Sequence, residues 1–464
     1  MNKVKLRDIA DVKLSNVDKK TNPNEQGVRL CNYTDVYKNW SIKNYMTDSF
    51  MFATCNKNEY ERFILRKGQI AITKDSETPD DIGVSAYIAE DFENVILGYH
   101  LALITPFADK LDGQFLNYYF HTKHLPKYFG NNAGGSGQRC SLSIDTIKEI
   151  PLFIPDLPTQ TAIARVLSSL DDKIELNNKI NKELENLART IYEYWFVQNA
   201  EENWERKKIG DLIQSQKNGD WGKETKQGNY TEKVICIRGA DINSLVGNSE
   251  LKAPERYILA KNKNKFLTDG DFVIEISGGS PTQSTGRIAY VLEEILKGFE
   301  NPLICSNFCK AISLKDKNLF YYFTFVWKQL YDNGLFFGYE GKTSGIKNFL
   351  FEYFVNFYEV YIPPKQILKK FNKTVSPIFE QIIKNRQESV NLAQLRDFLL
   401  PLLMNGQIIV GEAQDEPIMK PFKKVADDDM KYQIWKTQNG LAARGDIDEH
   451  TLRNIYEAID ENDR

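Results

Sequence analysis

Residues 270–287, GDFVIEISGGSPTQSTGR, place a run of very small residues directly behind an apolar stretch. Phe272 to Ile276 reads as a buried strand, and Ser277, Gly278, Gly279 and Ser280 then leave the backbone almost bare. Two chemistries use such a loop. One is a ring of backbone amides around the phosphates of a nucleotide, and the other is a backbone laid close against a polynucleotide. A phosphate cradle opens a helix whose N-terminus faces the anion. Here Pro281 and Gly286 intervene and the β-like run RIAYV follows, so strand–loop–strand and polynucleotide contact are the better reading. On it, Thr282, Gln283 and Ser284 reach base edges and Arg287 forks onto a guanine or a phosphate. A plain surface turn is the alternative.

GYEGKTSG (338–345) falls short of a nucleotide-binding loop, because only Tyr339 and Glu340 separate Gly338 from Gly341 where four residues are needed. Its Tyr339, Lys342, Thr343 and Ser344, with Lys347, instead read as a second polynucleotide-facing loop. GGSGQR (134–139) supplies Ser136, Gln138 and Arg139 in a matching place. NGDWGKETKQGNYTEK offers Lys223 and Lys226 to phosphates and Trp221 as an aromatic anchor, unless that ring closes a core, and Lys217 just ahead of it is a further DNA-binding candidate. Arg238 is a phosphate ligand or the partner of Asp241. In the first half, Asn32, Tyr33 and Thr34 of LCNYTDV and Lys74 and Ser76 of TKDSETPDDIG take the corresponding roles. No metal site is expected. His121 and His124 have no companion ligands, Cys305 and Cys309 no second pair, and Asp80 and Asp81 no Glu-x-Lys. Nor is there an Asn-Pro-Pro-aromatic tetrapeptide of the kind an amino-methyltransferase carries.

The elements that carry these residues come in two copies. Pro155 and Pro363 close IPDLP and IPPK and lie 208 positions apart, as do Gly137 and Gly345, Leu142 and Leu350, and Ile154 and Ile362. Earlier the register drifts but the order holds, LRKGQIAIT (65–73) matching LTDGDFVIE (267–275). Each copy is a strand-rich globule followed by a helix. Leu170, Ile174, Asn177, Leu184 and Ile191 step along the first helix with the alternating 3/4 spacing of a coiled-coil seam. Ile378, Ile382, Asn385, Leu392 and Leu399 repeat it 208 positions later. Both seams turn polar at the same step, Asn177 and Asn385, a device that fixes register at some cost in stability. Ser169 and the Ser376–Pro377 pair read as helix starts. That gives two antiparallel helices of about 27 residues, roughly 40 Å long. This is a little more than one turn of DNA duplex, so two unlike globules on such a spacer would read two short sequences across unread base pairs.

The chain has 464 residues with 42% hydrophobic content and a net charge of −3, which excludes a disordered or uniformly basic protein. No apolar run is long enough to span a membrane and no signal peptide is visible, so a cytoplasmic protein is expected. Residues 1–410 resemble the specificity (S) subunit of type I restriction–modification systems. NGDWGKE, IRGADI, GDFVIEISGGSPTQSTGR, SNF, GKTSGIKNF and the two helices with their IPDLPTQ and IPPKQ leaders carry the likeness. In the first globule TKDSETPDDIG departs from the Gly-Gly-Ser pattern. The resemblance implies an α+β fold: two target-recognition domains in tandem (1–157 and 201–363), separated by two long helices (158–200 and 364–410) packed as an antiparallel coiled coil, with an acidic extension at 411–464. It implies a non-catalytic subunit that reads a bipartite DNA target. Its partners would be double-stranded DNA, two methyltransferase (M) subunits that carry S-adenosylmethionine, and restriction (R) subunits that use ATP and Mg. The competing expectation is a two-headed coiled-coil scaffold for proteins.

Overall fold

A computed structural model describes residues 2–135, 139–201, 203–247, 251–280, 282–343, 345–410 and 419–421. The described residues fall into two compact units, 2–172 with 394–421, and 173–393. The acidic extension lies outside the described residues apart from the short strand Met419–Pro421, which pairs with Ile408–Val410. Among the described residues no helix is long and apolar enough to cross a membrane.

In the first unit Asn2–Lys5 pairs antiparallel with Pro151–Ile154, tying the start of the globule to its end. A five-stranded sheet runs in the order Ala10–Leu14, Leu101–Pro106, Ile70–Thr73, Ser85–Ile88 and Ser41–Ile42. Beside it stands a three-stranded sheet of Met51–Cys55, Gln26–Cys31 and Val95–Leu97, in which the last two strands are parallel. Ile70–Thr73 is buried at every position, as a short unbroken apolar run requires.

The second unit repeats this plan. Glu205–Lys208 pairs with Glu359–Ile362. The larger sheet runs Ile213–Asn218, Cys309–Leu314, Asp271–Glu275, Ile288–Tyr290, and the smaller one Glu255–Leu259, Tyr230–Ile237, Leu303–Cys305, again with its last pair parallel. Among the described residues, the edge strand Ser41–Ile42 is the one member of the first unit's two sheets without a counterpart in the second's. Phe272 stacks on Phe320 of the helix Phe320–Asp332 with ring centroids 4.8 Å apart, and Trp327 of that helix, fully buried, donates its indole N–H to the Gly286 carbonyl at 2.7 Å. A buried indole needs an acceptor, and this one pins the glycine-rich loop to the core.

The long helices are Leu157–Glu193 and Lys365–Met404. Both start where the segments 158–200 and 364–410 begin, ahead of Ser169 and Ser376. Ser169 and Ser376 are not caps: Ser169 Oγ donates to the Val166 carbonyl at 2.7 Å and Ser376 Oγ to Glu380 Oε1 at 3.0 Å, both inside their helices. The first helix is capped by Asp156, which accepts the Thr159 amide at 3.0 Å. Pro377 therefore sits within a helix, which costs about 3 kcal/mol. Upstream of it the same helix buries Leu368, Phe371 and Val375 to 1% exposure or less. At roughly 1.5–3 kcal/mol per side chain, that burial outweighs the proline.

Along the seams Asn177, Ile382, Asn385 and Leu399 are buried, and Leu170, Ile174, Leu184, Ile191, Ile378 and Leu392 half-buried. In the second unit the helices pair antiparallel. Asn177 Nδ2 donates to the Asn385 carbonyl at 3.2 Å and to Glu388 Oε2 at 2.8 Å, and Asn385 Nδ2 donates to Asn181 Oδ1 at 2.9 Å. In the first unit Asp171 accepts from Arg396 Nη1 at 2.6 Å and from the Tyr118 hydroxyl at 2.5 Å.

Candidate nucleic-acid interface

In the second unit three segments leave the sheets side by side. Asp271–Glu275 continues as Ser277–Gly278, which pairs with Asn348 and Lys347 of the strand Ile346–Phe349, and Ser277 Oγ donates to Asn348 Oδ1 at 2.7 Å. Glu340–Thr343 is the third strand of that ribbon. Tyr230–Ile237 delivers Arg238 and Gly239 to the same place. A Cβ on Gly239 would come 2.8 Å from Glu275 Oε1, and one on Gly278 3.0 Å from the same oxygen. These glycines are set by packing over a buried carboxylate. Gly279 is not, since a Cβ there meets nothing within 4 Å. The two loops singled out separately in the sequence thus form one surface.

Several cations expected at that surface are held within the protein. Arg287 donates from Nε and Nη2 to the two carboxylate oxygens of Glu275 at 2.8 and 2.7 Å, and those bonds raise its pKa above the ordinary guanidinium value. Lys217 Nζ lies 2.5 Å from Asp271 Oδ2, and Arg238 makes two bonds, 2.7 and 2.9 Å, to Asp241. Of the two readings of Arg238, the structure shows the partner of Asp241. The reason is common to all three: Glu275, Asp271 and Asp241 are at most 4% exposed, and a buried carboxylate requires a counter-charge. Lys347 Nζ donates to the Gln283 carbonyl at 3.1 Å and lies 3.3 Å from Glu340. Ser284, expected to reach base edges, is instead buried, because Gly286 beside it is tied to Trp327.

Thr282, Gln283, Gly279 and Lys223 are exposed, and Ser280 is half-buried, accepting the Gln283 amide at 3.2 Å. Trp221 does not close a core. It is exposed, with the Arg256 guanidinium 4.3 Å from its ring centroid. Tyr339 is half-buried against Phe354. Lys342 and Thr343 belong to the strand Glu340–Thr343, while Ser344 lies outside the described residues.

The first unit gathers its candidates into a cleft of about 430 Å³. Asp75–Ser76 pairs with Cys140–Ser141, which brings the TKDSETPDDIG loop against Arg139. Ser136 and Gln138 lie outside the described residues. Tyr33 and Ser76 line the cleft with Arg139, and Tyr33 stacks on Tyr37 with centroids 5.7 Å apart. Tyr37 donates to Asp81 at 2.8 Å. Asn32 donates its amide to Asp35 at 2.7 Å as the helix cap ahead of Tyr33, and Thr34 is exposed. Lys74 Nζ lies 2.8 Å from Asp75. Burial pushes the Asp75 carboxyl up, but hydrogen bonds from Lys74, Ser141 and His100 outweigh it and hold the group below its ordinary pKa of 3.8.

Sequence reasoning missed His100, whose Nδ1 lies 2.6 Å from Asp75 Oδ2, and Phe308 in the second unit. The signal was available: each is the last residue before an apolar strand, LALITP and CKAISL. Chemically the cleft presents carboxylates that accept from exocyclic amino groups beside an arginine that donates, which suits base edges. Among the described residues no group of three or more His, Cys, Asp or Glu is placed to hold a metal ion.

Comparison with known proteins gives one consistent result. A family model described as the type I restriction modification DNA specificity domain matches residues 1–186 and again 201–392. The chain is similar to the specificity subunit of the type I restriction enzyme MjaIX of Methanocaldococcus jannaschii, 27% identical over 334 residues that cover 66% of this chain and 71% of that one. It is 31% identical over 134 residues to the HindI specificity subunit of Haemophilus influenzae, covering 29% and 28% of the two chains. Among solved structures, the S subunit of a type I restriction–modification system from M. genitalium shares the fold, with a TM-score of 0.53 at 16% identity over 87% of this chain and 95% of that one.

Proposed function

Because the chain belongs to the family of type I restriction modification DNA specificity domains, we propose that it is the DNA-reading subunit of such a system, each unit addressing one half of a split, asymmetric target. One observation carries this reading: a single backbone frame occurs twice with different chemistry at its tips. The first unit presents Tyr33, Ser76 and Arg139 around a carboxylate-lined cleft, and the second presents Gly279, Thr282 and Gln283 where the first has TKDSETPDDIG. Two copies of one frame with unlike tips suit two unlike half-sites.

The same reading supplies the partners. Double-stranded DNA is bound together with two methyltransferase subunits, which bring S-adenosylmethionine, and with restriction subunits, which bring ATP and Mg; the chain itself performs no chemistry and works in the cytoplasm. Leu176, Ile180 and Leu187 are exposed on the first long helix and follow a seam-like spacing, a stripe suited to the amphipathic helices of a partner. A net charge of −3 also fits a subunit that shares the duplex with others rather than holding it alone. The test is methylation mapping by long-read sequencing in cells with the candidate modification partner, with and without this chain. A split motif methylated on adenine in both halves, lost with the chain, is expected. Unchanged methylation together with salt-independent, negligible DNA binding by the complex would overturn the reading.

A further inference from the structure

Backbone hydrogen bonds align the two units residue by residue just ahead of the strands Leu101–Pro106 and Cys309–Leu314. The Gly98 amide donates to the Cys31 carbonyl at 2.8 Å, and Ser306 donates to Ile237 at 2.8 Å. Two residues later the His100 carbonyl accepts from the Lys74 amide at 3.0 Å, and the Phe308 carbonyl accepts from Ile276 at 2.9 Å. His100 and Phe308 therefore occupy one position of the frame, where the loop after the central strand meets the start of its neighbour. The residues that follow, Leu101 and Cys309, are fully buried, yet the His100 side chain is 39% exposed and Phe308 51%.

Neither exposure is what the fold alone would select. Among the described residues His100 is the one non-glycine with a positive φ, 70°, a left-handed conformation that costs about 1–2 kcal/mol in an L-residue. It places the imidazole against Asp75 in the cleft with Tyr33, Ser76 and Arg139. With Nδ1 taken by the carboxylate, Nε2 is the ring nitrogen left for a further partner. Phe308 gives up the hydrophobic gain of burial without any polar group to satisfy. Its carbonyl is held by two amides, those of Ile276 and Ser277, the latter at 3.2 Å, so the ring projects from a fixed point.

We infer that this position determines specificity in both half-sites, Phe308 reading the C5-methyl group of a thymine and His100, steadied by Asp75, reading a hydrogen-bonding base edge. An apolar side chain against the thymine methyl and a polar one against donors and acceptors are the two ways a major-groove edge is distinguished. The inference rests on the DNA-reading role proposed above and assigns one residue of each unit to it.

The experiment compares methylation maps of cells carrying the chain and its modification partner as wild type, Phe308→Ala, or His100→Asn, which tolerates the left-handed backbone. Phe308→Ala is expected to make one thymine position in one half-site degenerate, with about a tenfold loss of preference, the lower end of what one methyl group gives in an apolar contact. His100→Asn is expected to relax one position in the other half only. A duplex with deoxyuridine in place of that thymine should bind the wild-type complex about tenfold more weakly and the Phe308→Ala complex no more weakly than the thymine duplex. Unchanged motifs in both variants, or deoxyuridine binding equal to thymine, would overturn the inference while the DNA-reading role stands. A wild-type chain on which no motif depends would instead overturn that role, and the inference with it.

Discussion

The Glu275–Arg287 pair offers the sharpest test of how the recognition surface is built. Glu275 is 4% exposed and both its oxygens are taken by Arg287, while Gly239 closes over it with no room for a Cβ and Gly278 with little. Arg287→Ala leaves that carboxylate buried without a counter-charge. Breaking one side of a buried pair costs about 3–5 kcal/mol. The Arg287 side chain is 17% exposed, so water can reach part of the vacated space and the lower end, about 3 kcal/mol, is expected. For a unit of this size each kcal/mol corresponds to about 2–4 °C, giving a fall of roughly 6–12 °C by differential scanning calorimetry. Glu275→Gln combined with Arg287→Ala removes both charges and should recover part of the loss, with a coupling energy of about 2 kcal/mol in the cycle completed by Glu275→Gln alone. If Arg287→Ala melts within about 2 °C of wild type while DNA binding by the complex collapses, the guanidinium serves DNA rather than Glu275, and the account of a buried pair is wrong.

Three further outcomes are expected. Exchanging residues 203–362 for another globule of this type should change one half of the methylated motif and spare the other, and a change in both halves would refute the division of labour. Asp75 has a depressed pKa in the folded chain, so its contribution is complete above the ordinary value of 3.8 and is lost as pH falls through the depressed one. Asp75→Asn should accordingly flatten the acid limb of the first unit's stability below about pH 4, followed by circular dichroism, and an identical limb would show the carboxylate is not coupled to folding. Gly219→Ala would set a Cβ 1.8 Å from the Ser306 carbonyl oxygen, backbone against backbone. A loss of about 1–3 kcal/mol or more is expected from that overpacking, and wild-type stability would mean the 305–308 turn yields freely.

What could be read from the sequence was whatever repeats or obeys a period. The 208-residue offset between Pro155 and Pro363 anticipates two globules, and the structure returns the same strand order twice. The polar step at Asn177 and Asn385 falls where the two side chains meet partners on the opposite helix. Ser-Pro is a strong local signal for a helix start, whereas the decisive term, burial of Phe371 and Val375, depends on a core assembled from distant segments. Asp156-Leu-Pro-Thr was the local cap that could have been weighed against it. The acids that hold the cations were not legible for a related reason. Lys217 finds Asp271 and Arg287 finds Glu275 across the sheet, and no local pattern reveals such a pairing.

Two kinds of residue meet at the surface. Arg287, Lys217 and Arg238 neutralise buried acids, so changing them disturbs the frame before it disturbs recognition. Thr34, Lys223, Gly279, Thr282, Gln283 and Arg139 are exposed and lie on loops or helix ends whose backbone is fixed by other residues. A change among them alters what the surface presents while leaving the strands, the core and the ion pairs beneath it as they were. A protein that must acquire new targets without refolding needs this separation. It also explains how one frame can occur twice in the chain with unlike tips: substitutions at the exposed positions leave the buried pairs intact, so the two units can diverge in what they present without diverging in fold.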